Sequence, residues 1–374
     1  MMTLHLDKQN FKNLITLASQ SGNVSADIIE KDYYVTLMLE ELSQKQEEID
    51  AYFKGGTCLY KIYAPMQRFS EDIDITVCSK GISTSKTKRN LENVSKKYVS
   101  LEKDENNPNN ENRKGSITQV YNYKSSFDVP NDPLQRYEKV KIEATSFTVS
   151  EPYEENLIHP LLIDLLPENL RDKVKQRYEI KDFAIKNITL ERIWCDKLLA
   201  AEFYTERQQY FDVAKHVYDI INMTRMPRIQ RLLASEDTFI SNLAYKRIEE
   251  TKRIGSDLWN KPLCSLSLYD CVHSDIFKQE YANMQQKYVF DKKYIIPIEN
   301  IVKGIETLQG LFDKYSNKEY DFLNSEIFMS KIKEYNADFQ GEPILNPNKN
   351  YSETFETEYD IEDDYDEGFD PADD

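Results

Sequence analysis

A chain of 374 residues exceeds the usual single core, and with 40% hydrophobic residues it can fill two packed units. Only 10 glycines against 25 tyrosines and 17 phenylalanines argue for long helices packed through aromatic rings, and against a loop-rich sandwich or a repeat array. The formal charge of −17 ordinarily argues against a nucleic-acid partner, but residues 351–374 hold twelve Asp and Glu and no Lys or Arg, leaving only −5 on the rest.

No run approaches the roughly 20 apolar residues of a membrane span, and the opening MMTLHLDKQN lacks the charged-then-apolar plan of a secretory signal, so a cytoplasmic protein is expected. Cys58, Cys78, Cys195, Cys264 and Cys271 include no CxxC pair, which points to small buried side chains and not to disulfides or zinc. His5, His159, His216 and His273 show no ligand spacing.

In chain order, Phe11, Leu14, Ile15, Leu17 and Ala18 repeat at helical spacing, and Ser21-Gly22 should end that helix. A second helix starts near Ser25, with a broad apolar band that Glu30, Lys31 and Asp32 interrupt. AYFKGGTCLYKIYAP then reads as a short strand, a Gly-Gly turn and a helix stopped before Pro65, followed by a strand from about Ser70. Residues 79–115 are a polar excursion, helical early and looped around Asn-Pro-Asn-Asn. ITQVYNYK and EKVKIEATSFTV, the latter alternating Val140, Ile142 and Ala144 against Lys139, Lys141 and Glu143, should extend the sheet. After about Asn187 the pattern is helical to about residue 340, with Thr189 placed to cap a helix carrying Leu190, Ile193, Trp194 and Leu198. The expected architecture is α+β: a mixed sheet flanked by helices over 1–188, a mainly helical domain over 189–340, and an acidic tail over 341–374 with the composition of disorder.

Chemistry concentrates in RFSEDIDITV. On a strand, Asp72 and Asp74 share one face while Ile73, Ile75 and Val77 share the other. Two carboxylates so close repel unless a cation intervenes, and Mg²⁺, with Mn²⁺ as a substitute, prefers such oxygen ligands. A bare DxD is more often a solvated edge, but Lys54-Gly55-Gly56-Thr57 lies just upstream and opens a helix, where absent side chains and free N–H groups suit a phosphate. Glu143 is either a third metal carboxylate from a neighbouring strand or a solvent-facing acid balanced by Lys139 and Lys141. Lys197 shares a stripe with Leu190, Ile193, Trp194 and Ala201, so it is either a cation held on nucleotide phosphate or a packed lysine paired with a structural acid.

Lys54-Gly55-Gly56-Thr57-Cys58-Leu59 followed by Arg68-Phe69-Ser70-Glu71-Asp72-Ile73-Asp74 resembles the signature of the AbiEii nucleotidyltransferase toxins of type IV toxin-antitoxin systems. The likeness spans about residues 25–220: Ile29 to Val35 resembles the family's leading helix, Leu190 to Leu198 its lysine helix, and Tyr210-Phe211-Asp212-Val213 its last motif. It implies a DNA polymerase beta-like fold and Mg²⁺-dependent transfer of a nucleoside monophosphate from a nucleoside triphosphate, in a toxin or phage-defence setting. In that scheme Asp72, Asp74 and Glu143 hold metal. Lys54, Gly55, Gly56, Thr57, Arg68, Ser70 and Lys197 hold the nucleotide, and Asp212 orients Lys197, accepts a proton or merely caps a surface.

The resemblance further implies an RNA acceptor, transfer RNA in some members, and a cognate antitoxin. Lys86 to Arg89, Arg171 to Arg177, Arg225 to Arg231 and Lys246 to Arg253 are basic stretches open to RNA, or equally solvated helix faces. The acidic tail either aids solubility or lies over a basic groove in place of nucleic acid. Protein nucleotidylation by the same site is one alternative, and a non-catalytic binding protein is another, which the intact Gly55, Gly56, Asp72, Asp74 and Lys197 argue against.

Overall fold

A computed structural model describes residues 2–64, 68–70, 72–128, 137–252, 256–289 and 291–342. Glu71, Arg253 and the acidic tail from residue 343 onward lie outside the described residues.

Helix α1 (Lys8–Gly22) is capped by Asp7, whose side chain accepts from the Asn10 N–H, and it ends one residue past the expected stop, at Asn23 in the left-handed region. Gly22 is kept free of a side chain by packing, since Leu165 Cδ2 stands 2.5 Å from where its Cβ would be. Helix α2 (Ala26–Lys45) is buried almost all round, including the three charges that break its apolar band. Each is satisfied: Glu30 by the Ser126 N–H at 2.8 Å, Lys31 by the Lys139 carbonyl, and Asp32 by Lys61 at 2.8 Å and the Leu161 N–H at 2.6 Å. The charged triplet therefore fastens α2 to the sheet and to the turn that follows it.

Strand β1 (Ala51–Lys54) leads into α3 (Gly55–Cys58), which widens to a π-helical turn over Leu59–Tyr63. Then come β2 (Ile73–Val77), α4 (Thr84–Lys96), the short β3 (Glu102–Lys103) and β4 (Glu111–Arg113), β5 (Ser116–Asn122) and β6 (Lys139–Thr145). The expected strands at ITQVYNYK and EKVKIEAT are thus β5 and β6, and β2 starts later than expected, leaving Asp72 just ahead of it. Four further elements had no assignment from sequence: β7 (Tyr153–Ile158), α5 (Leu161–Leu165), α6 (Glu168–Arg177) and β8 (Phe183–Ile188). The sheet runs β3-β5-β6-β2-β1-β8-β7, with β4 on β5; β2 pairs parallel to β6 and antiparallel to β1, so β1, β2 and β6 lie side by side at its centre.

From Leu190 onward, all regular structure among the described residues is helical: α7 (Leu190–Glu206), α8 (Tyr210–Thr224), α9 (Pro227–Ala234), α10 (Glu236–Glu250), α11 (Leu268–Cys271), α12 (Asp275–Tyr288), α13 (Ile298–Leu323) and α14 (Glu326–Tyr335). Thr189 caps α7 by accepting from the Arg192 N–H. Trp194 packs edge-on to Phe239 and Phe312 and donates to Thr224 at 3.1 Å, which locks α7 to α8, α10 and α13. One large apolar core runs through the sheet layer and the helical half alike. No helix among the described residues is long and apolar enough to cross a membrane.

Candidate active site

Alternation along β2 sends Ile73, Ile75 and Val77 into the core, where all three are fully buried, and turns Asp72 and Asp74 to the opposite face. Register then assembles the site. Lys54 of β1 stands opposite Asp74, and Glu143 of β6 stands level with it on the other side, giving a row of Lys54, Asp74 and Glu143 across three strands. One step along the sheet, Lys141 Nζ lies 2.8 Å from Asp72 Oδ2 and 2.7 Å from Glu143 Oε1.

Withdrawal from bulk water, joined by the charges of Glu143 and Asp72, pushes the Asp74 carboxyl up to about 7 despite Lys54 and Lys141. Asp72 is also raised, by burial and Glu143 against the pull of Lys141. Carboxylates made this hard to ionise call for positive charge, and an oxygen-only donor set is what hard divalent cations take. No three His, Cys, Asp or Glu side chains among the described residues form a metal-holding group by themselves. Magnesium ordinarily fills its shell with waters and substrate phosphates around one or two carboxylates, so two of Asp72, Asp74 and Glu143 would suffice to hold it in an open site of that kind.

The glycines bring backbone against these acids. Gly55 has φ +81°, and a Cβ there would lie 2.0 Å from Asp74 Oδ2. At Gly56 a Cβ would meet Ser70 Oγ at 2.6 Å and Arg68 Nη2 at 3.2 Å. Thr57 is buried and bonds Ser70 through its hydroxyl at 3.2 Å, so it braces the turn.

Arg68 and Lys197 converge on an acid that the sequence motifs had not singled out. Arg68 donates to both oxygens of Asp219, at 2.7 and 2.5 Å, and Lys197 Nζ lies 2.7 Å from Asp219 Oδ2. Asp219 and Lys197 are buried, and Arg68 is nearly so. Burial alone would raise the Asp219 carboxyl, but Arg68 and Lys197 outweigh it and hold it far below the usual carboxylate range. Asp212 stands two turns earlier on α8, about 10 Å along the axis, where it pairs with Lys215 at 2.6 Å on a partly exposed surface. The acid brought to Lys197 is therefore Asp219, and Asp212 is not.

The basic stretches differ in what they offer. Lys86, Lys88 and Arg89 are exposed on α4. Lys246 and Arg247 are not a surface at all: they are buried in ion pairs with Glu249, Glu250 and Glu319. Arg228 is held by Glu154 and Glu191, and Lys175 by Asp182.

A family model described as nucleotidyl transferase AbiEii toxin, type IV toxin-antitoxin system, matches residues 37–303. The chain belongs to this family. The AbiEii match takes in β1, the Gly-Gly turn, β2, β6, α7 and α8, every element that contributes to the site. No curated protein matches the chain. For an AbiEii protein the general activity is nucleotidyl transfer within a toxin-antitoxin pair. Sequence reasoning missed Asp219, yet a signal existed: it is a lone acid inside the apolar run Val217 to Ile221, and a carboxylate so placed must find a buried cation. Lys141 was noticed only as a counter-charge for Glu143; its bridge to Asp72 depends on strand register.

Proposed function

We propose that this AbiEii protein is a Mg²⁺-dependent nucleotidyltransferase that moves a nucleoside monophosphate from a nucleoside triphosphate onto RNA, transfer RNA being the expected acceptor, in the cytoplasm and under the control of a cognate antitoxin. The single observation that carries the reading is the row Lys54, Asp74 and Glu143 beside Asp72, with the side-chain-free Gly55 pressed against Asp74.

When bound, the divalent ion neutralises phosphate oxygens and the charge that develops on the leaving pyrophosphate. Asp72, Asp74 and Glu143 are its proposed ligands. Gly55 and Gly56 let the backbone of the turn close on Asp74, Ser70 and Arg68, and Ser70 and Lys54 offer donors to the triphosphate at that rim. Arg68 and Lys197, spanned by Asp219, put one net positive charge behind the Gly-Gly turn, where negative charge accumulates during transfer. The acceptor hydroxyl attacks the α-phosphorus as the bond to the α,β-bridging oxygen breaks; pyrophosphate departs with that electron pair, and the hydroxyl proton passes to a carboxylate of the set. Exposed basic side chains open to RNA are Lys86, Lys88 and Arg89 of α4 with Arg113 and Lys114; the groove that Lys88, Arg113 and Lys114 line lies on the α4 side of the sheet, opposite the carboxylates.

The test uses the full chain with each labelled nucleoside triphosphate, total cell RNA and Mg²⁺. Asp72→Asn and Asp74→Asn should each lower labelled RNA on the order of a hundredfold or more. Incorporation at the wild-type level in either variant overturns the reading, and label found on protein instead of RNA reassigns the acceptor.

A further inference from the structure

The acidic face of the site already contains a cation. Lys141 Nζ sits between Asp72 Oδ2 and Glu143 Oε1, at 2.8 and 2.7 Å, within contact of both carboxylates at once. Strand geometry brings it there: Lys141 and Glu143 are two residues apart on β6 and so share a face, and the parallel register that sets Glu143 level with Asp74 leaves Lys141 and Asp72 one residue before the first pair, Ile142 and Ile73. The result is a two-by-two block of side chains, one lysine and three carboxylates.

We propose that Lys141 is a built-in replacement for a second metal ion, so that the site takes a single divalent cation and not a pair. This rests on the reading of Asp72 and Asp74 as metal ligands. Two-ion transfer sites set their ions about 3.5–4 Å apart, bridged by shared carboxylates. Here the position between Asp72 and Glu143 is taken by an ammonium that is tethered to β6 through its own backbone. Charge balance points the same way. Three carboxylates and one lysine sum to −2, which one divalent ion neutralises; two ions would leave the block at +2 beside Lys54, before any nucleotide arrives. Lys141 is thus a positioning residue: it offsets the repulsion between Asp72 and Glu143 and leaves Asp74, with the outer oxygens of Asp72 and Glu143, to the one ion.

Mn²⁺ titration of the full chain, with free Mn²⁺ followed by electron paramagnetic resonance, counts the ions. Counts are taken above those of the Asp74→Asn protein, which retains anything held by the acidic tail. Wild type should hold one ion per chain. Lys141→Met, which keeps the stem and removes the charge, should hold two, and Lys141→Arg should return to one. Two ions in wild type overturn the proposal whatever the variants do, as does an equal count in wild type and Lys141→Met. No ion above the Asp74→Asn background in any of the proteins removes the metal reading of the site itself, a result distinct from either of those.

Discussion

Gly55 and Gly81 both have positive φ, +81° and +72°, yet only Gly55 is hemmed in. An alanine Cβ at Gly55 would stand 2.0 Å from Asp74 Oδ2, whereas at Gly81 it meets nothing within 4 Å. Backbone strain for an L residue is common to the two and costs on the order of 1 kcal/mol. The difference lies in Asp74, which must swing away to admit the methyl group. Gly55→Ala should therefore lose transfer activity by about a hundredfold, the usual consequence of moving a reacting constellation by an ångström. Gly81→Ala should lose only that backbone share of stability and keep its activity. Labelled-RNA assays beside urea denaturation separate the two; equal activities would mean that the Gly55 turn is only a turn.

At the level of elements, α8 carries two acids seven residues apart, and their surroundings make opposite predictions. Asp219 lies buried against Arg68 and Lys197, so Asp219→Asn strands two cations in the core and should cost about 3–5 kcal/mol in denaturant unfolding. Asp212 pairs with Lys215 at the surface, so Asp212→Asn should cost less than about 1 kcal/mol. A large loss from Asp212→Asn would show that the pairing on α8 has been read the wrong way round. The same helix shows what was legible in the sequence. Period and motif were enough for α8 itself and for the shared face of Asp72 and Asp74, because both follow from alternation or helical spacing within one element. Which strands flank β2 is a long-range matter, and the row from Lys54 to Glu143 could be guessed only as far as a neighbouring strand. Strand β7 was invisible for another reason: its inward positions include Glu154 and Asn156, polar residues satisfied by Arg228, Tyr63 and Asn187 of β8, so no apolar alternation marks it.

Across the whole molecule, buried ion pairs tie the sheet layer to the helical half, and they should set its acid stability. Arg192 of α7 donates to the Glu151 carbonyl at 2.8 Å and to Glu249 of α10 at 2.7 Å, while Arg68 reaches Asp219 of α8. Burial disfavours the charged form of Glu249, but Lys246 and Arg192 more than offset it, and its carboxyl, like that of Asp219, is held well below the ordinary range. A depressed folded-state pKa means the unfolded chain takes up protons first as pH falls. The stabilisation is therefore complete above the unfolded value of about 4, and drains away as pH drops below it toward the folded values. These two groups contribute no slope between pH 8 and 5, and up to two protons of slope below pH 4, about 2.7 kcal/mol per pH unit. In Asp219→Asn protein the acid slope should shrink by about one proton, even though that variant starts from a lower stability. Denaturant unfolding at a series of pH values reads both numbers. An unchanged slope below pH 4 would place the acid sensitivity in other carboxylates and remove the buried pairs from the account of how the two halves hold together.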